Sequence, residues 1–276
     1  MLVGSITDLK PSNRKQHVVA GSHCGVATGI LAANIGVASL ICHDASAGMD
    51  NAGVAGLSML DDWGIPAATV SHLSARIGDP HHICSHGLIS FVNARSRALG
   101  IDEGMKTADA MQIFKKAPAP HHRARTDTFS GFRTQVYLLE GNTQIHLLDS
   151  ASALCEQQHD EIVVTGSHAG LPNADSARAL KTRVRFIAFN DAGVGLERAG
   201  IARLGPIGTL GIPAVAVDAM TARIGDGLST LESGKISFAN GPAMDLGTTI
   251  GMAITDAIKL IPQSPKPQNY IAQKRK

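Results

Sequence analysis

Aromatic residues are scarce, with one Trp, two Tyr and seven Phe in 276 residues, which argues against a large aromatic binding face. Charge of one sign is missing too: 25 Lys and Arg against 23 Asp and Glu give a formal net charge of +2. A nucleic-acid protein usually shows a broad basic face. Here the densest basic stretch is the tail at 263–276, which reads as a solvated, frayed terminus. The four cysteines, Cys24, Cys42, Cys84 and Cys155, form no C-x-x-C pair, which excludes a zinc ribbon or disulfide framework. The expected compartment is a reducing cytoplasm. The start carries neither a charged n-region nor a long apolar run, so neither a signal peptide nor a membrane span is expected. Neither G-x-G-x-x-G nor a Walker loop occurs, so no cofactor is expected.

What is present is repetition. His17-Val18-Val19-Ala20-Gly21-Ser22-His23-Cys24-Gly25 returns as Ile162-Val163-Val164-Thr165-Gly166-Ser167-His168-Ala169-Gly170. Asp44-Ala45-Ser46-Ala47-Gly48 returns as Asp191-Ala192-Gly193-Val194-Gly195. Ala75-Arg76-Ile77-Gly78-Asp79 returns intact as Ala222-Arg223-Ile224-Gly225-Asp226. Ile89-Ser90-Phe91-Val92-Asn93 returns as Ile236-Ser237-Phe238-Ala239-Asn240. The order is kept and the spacing barely drifts. An internal duplication filters its own sequence, because two copies diverge except where a constraint acts on both.

Each copy alternates apolar strand runs with helical segments, the pattern of an α/β fold with a mostly parallel sheet. The expectation is two tandem homologous α/β lobes of roughly 115 residues related by a pseudo-twofold. The first repeat covers 1–113 and the second 144–262. A Pro-rich, basic linker at 114–143 carries a further strand candidate, Thr134–Leu139, and the basic tail follows at 263–276. In the first copy, helices are expected over Val26–Ile35 and Ala52–Trp63. In the second they are expected over Ile201–Leu210, with Pro206 as a break or kink, and over Thr248–Leu260.

Parallel α/β sheets carry their working groups beyond the carboxyl ends of the strands, and the repeated polar residues fall there. Gly21-Ser22-His23 and Gly166-Ser167-His168 supply turning glycines, a hydroxyl, and an imidazole that exchanges protons near neutral pH. A helix N-terminus beside them favours an anion; the plainer alternative is a turn with a capping Ser. Asp44 and Asp191 end apolar strands, where a carboxylate orients a His, activates water or simply caps a helix. Arg76 and Arg223 are suited to a bidentate grip on a carboxylate or phosphate, with Asp79 and Asp226 as partners or bases. The alternative there is an internal Arg–Asp clip. Asn93 and Asn240 donate to a carbonyl or cap a helix, capping being favoured. Two features are not repeated. The run His81, His82, Cys84, His86 is rich in metal-ligand types. Cys24 beside His23 invites a thiol nucleophile, but Ala169 stands in the other copy, so duplicated Cys chemistry is excluded.

Together these point to a cofactor-independent enzyme acting on a small anionic or polar carbonyl compound, best read as a hydrolase of an amide or related C–N bond. Proton-transfer isomerisation uses the same parts. The rival is a non-catalytic, two-lobed binding module for a carboxylate or phosphate metabolite. The expected partner is a small anionic molecule, with no nucleic acid and no membrane; a homo-oligomer is compatible with this reading.

Overall fold

A computed structural model describes residues 1–117, 132–139 and 143–262. Most of the Pro-rich linker and the basic tail lie outside them. The first sheet holds five strands in sequential order: β1 (Leu2–Val3), β2 (His17–His23), β3 (Ser39–His43), β4 (Ala67–Val70) and β5 (Ile89–Val92). The first four run parallel and β5 pairs antiparallel with β4. Helices α1 (Val26–Ile35), α2 (Gly56–Asp62), α3 (Pro80–His86), α4 (Ala94–Ala98) and α5 (Thr107–Lys116) complete this half.

The second sheet has β6 (Thr134–Leu139) at its edge, followed by β7 (Thr143–Leu148), β8 (Ile162–His168), β9 (Phe186–Asn190), β10 (Ala214–Val217) and β11 (Ile236–Ala239). Strands β7 to β10 are parallel, while β6 and β11 are antiparallel to their neighbours. Its helices are α6 (Leu204–Thr209), α7 (Gly227–Ser233), α8 (Gly241–Asp245) and α9 (Ile254–Lys259). The molecule is therefore α/β with two mostly parallel sheets. Among the described residues no helix is long and apolar enough to cross a membrane.

The strands are apolar on both faces because both faces are covered. In the first sheet Val18, Ala20, Leu40 and Ala67 face one core, and Val19, Ile41, Ala68 and Val70 face the other. The second sheet divides in the same way. Helix starts follow side-chain chemistry. Asp79 and Asp226 accept from the backbone N–H of His82 and Ser229 to cap α3 and α7, and Asn93 and Asn240 do the same for α4 and α8.

Several elements differ from the sequence reading. α2 starts at Gly56 rather than Ala52, because Gly53 N and Gly56 N donate to Ala47 O and Cys24 O instead of to carbonyls four residues back. Pro206 does not break a helix: it is the third residue of α6, inside the first turn, where its missing N–H has no intrahelical partner. The closing helix α9 is shorter than Thr248–Leu260. α5 continues to Lys116, past the expected repeat boundary at 113.

Candidate functional site

Neither sheet reverses its strand order, so neither has the crevice at which open α/β sheets usually hold ligands. A cavity of about 430 Å³ lies instead between the two halves. It is lined by Ser22 and His23 from the end of β2 and by Ser167 and His168 from the end of β8. The Gly-Ser-His runs are the last residues of their strands rather than loops beyond them. Parallel pairing shifts register between Val19 and His23, and again between Val164 and His168, before the ends rejoin the ladder opposite His43 and Asn190.

The two Ser-His ends are held alike. Ser22 Oγ accepts from Ile6 N at 2.9 Å, and Ser167 Oγ accepts from Ala151 N at 2.8 Å. These amides belong to short 3-10 turns whose own hydroxyls also line the cavity, with Ser5 and Thr7 paired at 2.8 Å and Ser150 and Ser152 paired at 2.8 Å. Each serine thus uses a lone pair on backbone and keeps its proton to donate. Among the described residues no hydrogen bond joins either serine to a histidine ring, so the geometry does not activate Ser22 or Ser167 as a nucleophile.

His23 Nδ1 accepts from Gly25 N at 3.1 Å, and His168 Nδ1 from Gly170 N at 3.0 Å. An accepting Nδ1 places the neutral ring's proton on Nε2. That atom has no partner in either residue among the described residues. Burial, with His43 nearby, brings the His23 pKa down to about 4. His168 lies well below the ordinary value through burial, then through Arg203, His23 and His43. Both rings are neutral at physiological pH and present N–H donors, which makes them poor general bases and good partners for a carbonyl oxygen.

The cavity's cations come from the second half: Arg178, Lys181 and Arg203. Arg178 is offset by Asp8 at 3.2 Å. Lys181 donates its ammonium to the Ser152 carbonyl at 2.5 Å. Arg203 is 7% exposed and has no carboxylate partner among the described residues. Its Nη2 donates to the Gly170 carbonyl at 2.9 Å, its guanidinium lies 5.0 Å from the centroid of the Phe189 ring, and its buried Nε has no partner. Burial, and then Arg178, lower its pKa to about 10, so it stays charged. Residues that recur were the signal in the sequence, and none of these three recurs. At the spacing that relates Asp44 to Asp191 and Arg76 to Arg223, Arg203 corresponds to Gly56, and that contrast was the available signal.

The other candidate residues do not line this cavity. A Cβ at Gly21 would lie 2.6 Å from the Gly4 carbonyl oxygen and 2.7 Å from the Gly78 carbonyl carbon; one at Gly166 would collide with Gly225 and Asp226. Both glycines let the strand pass the Arg-Ile-Gly-Asp loop, whose amide each accepts on its carbonyl: Gly78 N donates to Gly21 O at 2.8 Å and Gly225 N to Gly166 O at 2.7 Å. Asn93 and Asn240 cap helices and also tie β4 and β10, accepting from Ala67 N and Ala214 N.

Arg76 and Arg223 act at the seam between the halves. Arg76 pairs with Asp79 at 3.1 Å and with Glu197 at 2.9 Å across the seam. Arg223 pairs with Asp226 at 3.4 Å and with Asp50 at 3.2 Å across it. The seam is reciprocal elsewhere too: Met49 N donates to Ala219 O at 2.8 Å, and Leu196 N donates to His72 O at 2.7 Å. Its apolar centre is Ala45 with Ala192, Ile77 with Ile224, and Ala52 with Ala199. The Arg-Ile-Gly-Asp loops thus buttress the site from behind; a Cβ on Gly225 would lie 3.2 Å from His23 Cε1.

Asp44 and Asp191 brace the same seam. Asp44 Oδ1 accepts from Ser46 N, His72 N and His72 Nδ1 at 3.0, 2.9 and 3.1 Å. Burial raises its pKa, but His72, His43 and Ser46 outweigh that and hold it below the ordinary carboxylate value. Asp191 accepts from Gly193 N, Ala219 N and Ser237 Oγ, and burial leaves its pKa raised. Ser46, Asp44 and His72 are the residue types of a triad, yet Ser46 Oγ is shut off from solvent with no partner. Cys24 is fully buried. Among the described residues no set of three or more His, Cys, Asp or Glu side chains converges as metal ligands; in the His81–His86 run, His82 and His86 stack at 4.3 Å.

Compared with known proteins, the chain matches no family model, no curated protein and no solved structure.

Proposed function

We propose that the cavity between the halves is the site of a cofactor-independent enzyme acting on a small anionic carbonyl compound, by hydrolysis of an amide or related C–N bond. One observation carries this reading: an uncompensated guanidinium and two neutral imidazole N–H donors line a single cavity. Arg203 holds the anionic group. The Nε2–H groups of His23 and His168, fixed before any substrate arrives, stabilise the negative charge that builds on the carbonyl oxygen. Water adds to the carbonyl carbon, the C–N bond breaks, and the amine leaves with a proton from that water. Ser22 and Ser167 donate hydrogen bonds. Asp44, Asp191, Arg76 and Arg223 keep the two halves in register around the site. We also read the halves as tandem copies related by an approximate twofold; matching strand order and the reciprocal seam contacts support this.

A binding module is the second reading, and a specific observation favours it. The carboxylates that line the cavity among the described residues, Asp8 and Asp149, are held by Arg178 at 3.2 Å and Arg133 at 2.7 Å, which leaves neither free as a base to activate water. The test is to incubate the protein with amides that also carry a carboxylate and follow product by NMR. Turnover that falls about 100-fold or more when His23 and His168 are both replaced by Phe supports the enzyme. Saturable binding with no product in any amide supports the module.

A further inference from the structure

The cavity is built from paired elements, but its charge is not paired. Arg203 N donates to Ala169 O at 2.7 Å; in the first half Gly56 N donates to Cys24 O at 2.8 Å. Backbone at the two positions is thus arranged alike, while the side chains are opposite extremes. A Cβ on Gly56 would lie 2.6 Å from the Gly25 carbonyl oxygen and 2.9 Å from that of Cys24. No side chain fits there, because α1 packs closely on it: a Cβ on Gly29 would be 3.2 Å from Gly56 O. The second half has no α-helix between β8 and β9, only short 3-10 turns, Pro172–Ala174 and Ser176–Arg178. Arg203 uses the room that this leaves. The first half faces the cavity with Ser22, His23, Ala27 and Thr28, and its one carboxylate there, Asp8, is taken up by Arg178.

We infer that the cavity selects an asymmetric ligand: a monocarboxylate whose carboxylate rests on Arg203 and whose other end is an uncharged carbonyl that accepts from His23 and His168. This rests on the reading of the cavity as a ligand site and adds the ligand's class and direction. Among the described residues only Nη2 of Arg203 has a hydrogen-bond partner, so donors remain for a planar carboxylate, whose geometry suits a guanidinium. Neutral imidazoles accept no second charge without being protonated, so a dianion gains little at the far end. A wholly neutral compound leaves Arg203 uncompensated.

Three compounds of one length separate these cases: succinamate, with one carboxylate and one amide; succinate, with two carboxylates; and succinamide, with none. Titration calorimetry on the full chain at pH 7 is expected to show succinamate binding about 100-fold more tightly than succinamide. It should also bind more tightly than succinate and inorganic phosphate. Arg203→Gln removes the preference for succinamate over succinamide, and Arg203→Lys restores part of it; unchanged circular dichroism shows that both variants are folded. Succinamide binding as tightly as succinamate, succinate or phosphate binding more tightly, or no binding by any of the four overturns the inference. Tight succinamate binding without turnover leaves the inference standing and removes the enzyme reading. Turnover of neutral amides that is indifferent to Arg203→Gln does the reverse.

Discussion

His43 and Asn190 sit at the same place in the two halves and make the same bonds with different atoms. His43 accepts from Ala45 N at 3.1 Å and bonds Ala75 O at 3.0 Å; Asn190 accepts from Ala192 N at 2.9 Å and donates to Ala222 O at 3.1 Å. A neutral imidazole with Nδ1 accepting and Nε2–H donating reproduces a carboxamide. Gly56 and Arg203 are the opposite case, with shared backbone bonding and incompatible side chains. The seam therefore holds hydrogen-bonding roles fixed while the cavity wall is free to differ. At the seam, agreement in role marks a structural position; at the cavity, on the proposed function, the difference between Gly56 and Arg203 sets what is bound.

Four substitutions sharpen or break this contrast. The largest effect is expected from His43→Asn. Burial lowers the His43 pKa to about 4 from an unfolded value near 6.5. Between those values the unfolded chain binds the proton and the folded chain does not. The stability associated with a neutral His43 is therefore complete above pH 6.5 and lost as pH falls through 4, by about 3 kcal/mol. Asn has no such titration. Urea unfolding should find the variant within about 1 kcal/mol of the native protein at pH 7 and relatively more stable by about 3 kcal/mol at pH 4. A loss well beyond about 1 kcal/mol at pH 7 would show that His43 and Asn190 are not interchangeable, and an unchanged pH profile would show that His43 is not held neutral by the fold.

Next is Gly56→Ala, which puts a Cβ against two backbone carbonyls. The expected cost is about 2 kcal/mol in urea unfolding, the overpacking penalty exceeding the helix-propensity gain of Ala. A neutral result would mean that the first half has room for a side chain at the cavity after all. Arg203→Met is smaller and opposite in sign. It removes a buried cation that has no acid partner, and the melting temperature should hold or rise, by the equivalent of about 1 kcal/mol. A clear fall would make Arg203 a structural residue. The smallest is Glu197→Gln, which breaks the Arg76 pair across the seam. Glu197 is 61% exposed, so the change should stay below about 1 kcal/mol and shrink further in salt.

The alternation of strands and helices was legible because the strands are apolar runs bounded by glycines and by aspartate or asparagine caps. The Ser-His pairs were legible because both copies retain them. Arg76 and Arg223 were legible as constrained positions but not as seam residues: an arginine three residues before an aspartate suggests a local clip, while the second partner, Glu197 or Asp50, lies far along the chain. Asp44 and Asp191 were misleading for a related reason, since a carboxylate at a strand end looks alike whether it meets substrate or backbone N–H groups. Arg203 was hidden by the very logic that found the rest, because a search for what recurs discards what only one copy has.

Among the described residues no strand passes from one sheet to the other: the first sheet closes within residues 2–92 and the second within 134–239. Secondary structure in each half is thus completed by neighbouring chain alone, while the cavity exists only once the seam has closed. On the proposed function, ligand affinity and half-to-half docking are therefore coupled equilibria. A compound held at a hundred times its dissociation constant adds about 2.7 kcal/mol to the closed arrangement and nothing to either half taken separately. Mechanical or chemical opening of the seam would release the ligand before any sheet is lost.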